Sequence, residues 1–152
     1  FLVTREATAL GGDEAKRYPL IAISGEDYPD AFEKVNRHFL KERWGDGLPL
    51  IPPTKEKVEW MLKGTNRAPH EIVVETRPSG RAATIESIAI NAVMAGAVPA
   101  YLPVIIAALE AWDKCDWGWG SGTTTSPAAP LIVVNGPNAK QLNIDSKRNA
   151  AS

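Results

Sequence analysis

Apolar residues recur at helical spacing in four parts of the chain. The pattern predicts helices over residues 28–45, 55–64, 83–96 and 99–114. The third helix is predicted to bury one face of small and branched residues, namely Ile85, Ile88, Ala89, Ala92 and Val93. The fourth helix is apolar on nearly all sides, which predicts that it is buried.

The ends of these helices carry signals of their own. Asp30 is expected to cap the first helix, with Glu33 at the reciprocal capping-box position. Gly45 is expected to end it, because glycine adopts a left-handed conformation at little steric cost. Thr54 and Thr84 are the expected N-caps of the second and third helices.

Strand signals are fewer than helix signals. A β-branched run predicts a strand over residues 70–78, and residues 18–24 could form a short one. Residues 131–137 begin with a continuous apolar run, typical of a strand buried on both faces. We therefore predict an α/β or α+β fold with helices packed on a small, mostly buried sheet. We expect an N-terminal arm or linker over residues 1–26 and one α/β domain over residues 27–152, incomplete at its C-terminus.

Charge and cysteine content narrow the possible partners. The chain has 17 basic and 18 acidic residues and a formal net charge of −1. This balance argues against a nucleic-acid surface and a basic membrane-binding face, so neither partner is expected. The single cysteine, Cys115, permits no internal disulfide and favours a reducing, cytoplasmic location.

The stretch from Trp44 to Thr54, WGDGLPLIPPT, combines stiffness, apolar character and one carboxylate. Its three prolines exclude a central strand, and its aliphatic residues are unusual in a solvated loop. Asp46 lies between Gly45 and Gly47, so it could approach a ligand closely on a rigid support. The alternative is an Asx-turn, in which the Asp46 side chain bonds its own backbone.

Residues 121–126 supply five hydroxyl groups in six positions, which could bind an anion or a carboxylate. An ordinary loop, hydrogen-bonded to its own side chains, is an equal alternative. Neither His38 nor His70 has a partner at metal-ligand spacing, so no metal site is predicted. Cys115 lies in no CxxC motif and is more simply a spectator.

Four motifs together resemble one family. They are RWGDGLPLIPPT, ATIESIAINAVMAGAVPAYLPVIIAALEA, TTTSPAAPLIVVNGP and LNIDSKRNA. In order and spacing they resemble the domain that follows the Sec-Gly-Ser-Cys or Cys-Gly-Ser-Cys domain of the UGSC selenoproteins, and its free-standing relatives. The family chain continues past the position of Asn149, so the resemblance implies a segment of a longer protein. This chain departs from the family in lacking the redox motif and in having Ala97 and Ser126 near positions where the family tends to have cysteine and histidine.

The resemblance implies a subunit or processed fragment of a multi-chain α/β enzyme. Its chemistry on a small molecule would be redox or thiol/selenol-linked, with the reactive group on a second polypeptide chain. Asp46 is the expected catalytic residue. The expected binding residues are Trp44, Gly47, Thr123, Thr124, Thr125, Asn135 and Asn149.

Two other functions remain open from the sequence. One is a hydrolase or lyase whose site is shared between chains, either metal-free or with a metal held between them. The other is a non-catalytic structural subunit. The sequence identifies no cofactor, and the substrate is a small molecule of unknown structure.

Overall fold

The computed structural model describes residues 21–76, 80–115 and 131–144. Two helices, two consecutive short strands and three further helices follow one another along this part of the chain. In order they are α1 (Tyr28–Lys41), α2 (Lys55–Leu62), β1 (Ile72–Thr76), β2 (Arg81–Thr84), α3 (Ile85–Met94), a 3₁₀ turn (Pro99–Tyr101), α4 (Leu102–Asp113) and α5 (Pro137–Gln141).

The N-cap of helix α1 lies three residues before the predicted one. Its N-cap is Asp27, whose side chain accepts a hydrogen bond from the Asp30 N–H at 2.9 Å. The prediction of Asp30 as the cap is therefore wrong. Pro29 lies in the first turn, where a missing N–H costs nothing. Asp30 itself accepts from the Glu26 N–H at 2.8 Å and from the Lys34 ammonium at 2.7 Å.

The C-terminus of α1 also differs from the prediction. The Arg43 N–H donates to the Leu40 carbonyl and the Trp44 N–H to the Phe39 carbonyl, the pair of bonds that defines a Schellman motif. Arg43 has a φ of 59°, so an arginine occupies the left-handed position where glycine is usual. The prediction that Gly45 ends this helix is wrong, because the reversal is complete before Gly45.

The same pair of bonds closes α3 and α5. In α3, Gly96 donates to Val93 and Ala97 donates to Ala92, with Gly96 at a φ of 78°. In α5, Asn143 takes the left-handed position at a φ of 52°. Three helices thus end alike, with arginine, glycine and asparagine at the equivalent position.

Strands β1 and β2 form a two-stranded antiparallel sheet. Ile72 lies opposite Thr84, and the register shifts between Ile72 and Val74. The predicted strand at residues 70–78 is confirmed over β1. Strand β2 was not predicted, since Thr84 is its one β-branched residue and Ala83 was assigned to the third helix. Val74 and Thr84 are buried, whereas Ile72 is exposed.

The hydrophobic core lies where α3 packs between α2 and α4. Met61 of α2, Ile85 of α3 and Leu102 of α4 are fully buried at its centre. All five residues predicted for the buried face of α3 are buried. Thr54 and Thr84 cap α2 and α3 as predicted, and Thr84 and Ser87 form a reciprocal capping box. The fold is therefore α+β, with helices packed on a small sheet, as predicted.

Three further expectations are wrong in the described residues. Helix α4 is only partly buried. Its buried residues are Leu102 and Ile106, whereas Pro103 and Ala107 are exposed. Residues 131–134 form no strand, and Leu131 is 76% exposed. Residues 21–24 have no regular secondary structure either, so the short N-terminal strand does not form there. No helix in the described ranges is long and apolar enough to cross a membrane.

Candidate functional site

The loop that carries Asp46 is attached to α1 by one asparagine side chain. The Asn36 Oδ1 accepts a hydrogen bond from the Leu50 N–H at 2.6 Å, and the Asn36 Nδ2 donates to the Leu50 carbonyl at 3.3 Å. Nδ2 also donates to the Phe32 carbonyl, one turn earlier, at 3.1 Å. The Asn36 amide thus pairs with both backbone groups of Leu50, as a neighbouring strand would.

Two other contacts hold the loop at its ends. At its start, the Trp44 ring lies against Phe39 and edge-on to His38, with centroid distances of 5.7 Å to each. At its end, the Ile51 N–H donates to the Met94 carbonyl at the C-terminus of α3 at 3.0 Å. The segment from Trp44 to Leu50 therefore spans fixed points on two helices.

Asp46 lies at the exposed tip of this segment. Its Oδ1 accepts a hydrogen bond from the Leu48 N–H at 3.1 Å, which is the Asx-turn weighed as the alternative to catalysis. Gly47, inside that turn, has a φ of 104°, a conformation that side chains rarely adopt. The second oxygen, Oδ2, is left to face solvent or a ligand.

An open cleft of about 260 Å³ lies between α1 and this loop. Its walls combine apolar side chains, two glycines and an ion pair on α1. The lining residues are Glu33, Asn36, Arg37, Phe39, Leu40, Gly45, Gly47, Leu48 and Leu50. Its apolar walls suit the body of a small organic molecule better than a hydrated ion.

The rim of the cleft carries both apolar and charged groups in the open. Leu40 and Leu48 are 56% and 70% exposed. The Arg37 guanidinium pairs with the Glu33 carboxylate at 2.5 Å, and both side chains are well exposed. Exposed apolar side chains and an exposed ion pair therefore line one face of α1, and Asp46 lies between two of the lining glycines, Gly45 and Gly47.

A separate charged cluster lies at the start of β1. Arg67 donates to the Glu71 carboxylate at 2.9 and 3.1 Å and to Glu110 on α4 at 2.6 Å. The bond from Arg67 lowers the pKa of Glu71, and the two carboxylates raise the pKa of Arg67. These bonds tie the segment before β1 to α4, which is a structural role.

The predicted site residues divide into two groups. Trp44, Asp46 and Gly47 lie together on the loop beside the cleft. Asn135 is exposed after the apolar stretch 131–134, and no hydrogen bond of the described residues joins it to that loop. The others, Thr123, Thr124, Thr125 and Asn149, lie outside the described residues.

Asn36 is the residue that sequence reasoning missed. A weak signal was present, because asparagine is a poor helix former and its side chain competes for backbone hydrogen bonds. Within the described ranges, no three His, Cys, Asp or Glu residues lie close enough to hold a metal ion. Cys115 is exposed, and its thiol donates to the Ala111 carbonyl at 3.4 Å.

The chain matches no protein-family model, no curated protein and no solved structure. The resemblance to the UGSC proteins therefore rests on the four sequence motifs and stays a prediction. What the chain does has to be inferred from the geometry of the loop and the cleft.

Proposed function

We propose that this chain is a subunit or processed segment of a multi-chain α/β enzyme that acts on a small molecule. In this proposal the substrate lies in the cleft beside Asp46, and a partner chain carries the reactive thiol or selenol. Asp46 orients the substrate or transfers a proton, and Trp44 and Gly47 form part of the binding wall. The chemistry is redox or thiol-linked, and the enzyme is cytoplasmic.

The placement of Asp46 carries the proposal. A carboxylate that acts on a substrate has to be held in place, since small misplacements cost large factors in rate. The loop is fixed on α1 through Asn36 and on α3 through Ile51, while one oxygen of Asp46 is committed to the turn. The other oxygen stays available to a substrate in the cleft, whose lining includes both neighbours of Asp46, Gly45 and Gly47.

The proposed partner chain has support from residues 131–134. Leu131, Ile132 and Val133 are 76%, 60% and 68% exposed, although consecutive aliphatic residues are typical of strands covered on both faces. Exposed apolar surface of this kind is typical of interaction sites. Asn135 follows directly, so a partner that covers the stretch would also approach this proposed binding residue.

The redox chemistry is supported by the motif resemblance alone. In the UGSC proteins the reactive chalcogen belongs to the Sec/Cys-Gly-Ser-Cys domain, which this chain lacks. Thr123, Thr124, Thr125, Asn135 and Asn149 would bind an oxyanion or carbonyl of the substrate, since hydroxyl and amide groups donate hydrogen bonds to such oxygens.

A direct test combines this chain with a separate polypeptide that carries a Cys-Gly-Ser-Cys domain. The assay follows cumene hydroperoxide, which is reduced to cumyl alcohol and water while dithiothreitol is oxidised to its disulfide. We expect the two polypeptides to form a complex in native mass spectrometry and to turn over together faster than either alone. Asp46→Asn should lower the rate by about 100-fold, the usual contribution of a proton-transferring group.

Asparagine at position 46 keeps the Asx-turn acceptor and removes only the carboxylate, so a loss of rate would not reflect a lost turn. Glu59→Gln is the matched control, because Glu59 is an exposed carboxylate on α2 whose nearest cation, Lys55, lies 3.9 Å away. Full turnover in Asp46→Asn would remove the proton-transfer role. A chain that stays monomeric near 16.4 kDa in the mixture would contradict the multi-chain enzyme.

The Asx-turn favours a second candidate, a non-catalytic structural subunit. In that case Asp46 shapes the loop and contacts no substrate. Asp46→Asn would then assemble and turn over normally, whereas Asp46→Ala, which removes the turn acceptor, would weaken assembly. The two substitutions therefore separate the candidates.

A further inference from the structure

We propose that Asn36 is the positioning residue of the site, acting on catalysis through the loop that carries Asp46. This inference rests on the proposed role of Asp46. Asn36 lies on α1, is half-buried, and reaches Leu50, fourteen residues later in the chain. Its amide uses both the acceptor and the donor on the Leu50 backbone, so it fixes the orientation of that peptide as well as its distance.

The position of Asp46 depends on this contact because the intervening chain is short. Trp44 is held by the end of α1, and Leu50 is held by Asn36. Only residues 45–49 bridge these two points, and they include the Asx-turn from Asp46 to Leu48. Gly45 and Gly47 allow this bridge many conformations. The two bonds from Asn36 to Leu50, called the Leu50 clamp, act with the neighbouring bond from Ile51 to Met94 to restrict them.

The chain offers a matched comparison for Asn36. Asn91 on α3 also donates its Nδ2 to the carbonyl four residues earlier, that of Ser87, at 2.8 Å. Asn36 makes the equivalent bond to Phe32 at 3.1 Å. The side chain of Asn91 is exposed and has no clamp in the described hydrogen bonds. Replacing each asparagine by alanine therefore removes the same helical bond, and only Asn36→Ala removes the clamp.

Hydrogen exchange tests the geometric half of the inference without any activity assay. The Leu50 N–H reports on the clamp, and the Leu48 N–H reports on the Asp46 side chain. In Asn36→Ala we expect both amides to exchange at least about ten-fold faster, as the loss of a protected hydrogen bond implies. Asn91→Ala should leave both rates unchanged. If exchange becomes faster at the Leu50 N–H but not at the Leu48 N–H, the clamp does not position Asp46 and the inference fails.

A double-mutant cycle tests the catalytic half in the two-chain peroxide assay. We expect Asn36→Ala to lower kcat by about ten-fold or more, with a smaller change in KM. In an Asp46→Asn background the same substitution should have no further effect on kcat, because the group it positions is already gone. A merely structural role would lower the rate by the same factor in both backgrounds and would overturn the inference.

The two proposals fail in different ways. If Asp46→Asn turns over normally, the catalytic role of Asp46 is lost and the positioning role falls with it. If Asp46→Asn is slow while Asn36→Ala matches Asn91→Ala in rate and in exchange, the proposed function stands and only the role of Asn36 is overturned.

Discussion

The core between α2, α3 and α4 and the unit formed by α1 with residues 44–51 are built in different ways. In the core, side chains from three helices bury one another, and Met61, Ile85 and Leu102 are fully buried. Helix α1 buries Ala31, Val35 and Phe39 outside that cluster. Its loop is attached through side-chain-to-backbone hydrogen bonds, above all those of Asn36.

This difference assigns stability and function to separate parts of the molecule. Burial of apolar side chains is non-directional and supplies most of the free energy of folding. A pair of hydrogen bonds adds less energy but defines an orientation, and orientation is what a functional loop requires. The following substitutions test whether the two regions differ in this way.

The largest effect is expected in the core. Leu102→Ala removes a fully buried side chain and leaves a cavity, so the free energy of unfolding should fall by about 2–5 kcal/mol. Urea denaturation followed by circular dichroism measures it. Leu131→Ala is the control, because Leu131 is 76% exposed and should cost little. Similar losses in both variants would mean that residue 131 is covered in solution.

Substitutions at two glycines test how rigid the two regions are. A Cβ at Gly64 would lie 2.0 Å from the Pro99 carbonyl oxygen, and that backbone cannot move aside cheaply. A Cβ at Gly45 would meet the end of the Leu50 side chain at 3.0 Å, which can rotate away. We expect Gly64→Ala to cost about 1–3 kcal/mol and Gly45→Ala clearly less. Equal losses would show that the loop is packed as firmly as the core.

A smaller effect, of opposite sign, is expected where the helices end. Arg43→Gly should raise the free energy of unfolding by about 1 kcal/mol, because it relieves the left-handed conformation of a residue with a Cβ. Gly96→Ala on α3 should lower the free energy of unfolding by a similar amount. The new Cβ would have space, but the backbone φ at this position is unfavourable for alanine. A destabilised Arg43→Gly protein would mean that the arginine side chain makes a contact that outweighs the strain.

The smallest effect concerns acid. The Lys34 ammonium lowers the pKa of Asp30 in the α1 unit, and Arg67 lowers the pKa of Glu71 beside the core. A lowered pKa means that the charged carboxylate stabilises the fold when the pH is above the ordinary pKa of the group. That ordinary pKa is 3.8 for Asp30 and 4.5 for Glu71. That stability is lost as the pH falls through the lower folded-state value.

We therefore expect the urea midpoint to be flat near neutrality and to fall below a pH of about 4.5. Both Asp30→Asn and Glu71→Gln should make that fall shallower, each by a modest amount because the pairs are exposed to solvent. Lys34 behaves in the opposite way, because its pKa is raised. Its contribution to the stability of the fold is present below its ordinary pKa of 10.5 and is lost as the pH rises further. A steeper acid limb in either variant would contradict these assignments.

The sequence predicted the core well because burial leaves a periodic trace. Every residue expected on the buried face of α3 is buried, and both threonine caps are in place. Two of the misses share a different cause. Arg43 occupies the left-handed position after a helix, where the sequence rules expect glycine. Asn36 bonds to the backbone of Leu50, fourteen residues later in the chain. Features of this kind depend on tertiary geometry and produce no periodic pattern of apolar residues in the sequence.

For the candidate site, the sequence indicated the loop but not its support. Asp46, Trp44 and Gly47 were identified from the composition of WGDGLPLIPPT and from the family resemblance. The Asx-turn was foreseen as an alternative and is present. The buried strand expected at residues 131–134 was wrong, since an apolar run indicates only that a segment should be covered, and nothing in the described part of the chain covers it.

The exposed stretch 131–134 also bears on how the protein can be handled and how it could fail. Four consecutive uncharged aliphatic residues, three of them largely exposed, favour cross-β association between copies of the chain. Pro130 and Pro137 bracket the stretch in the sequence, and proline interrupts stacked strands. These two prolines limit any fibril-forming segment to the few residues between them, so they act as gatekeepers against aggregation.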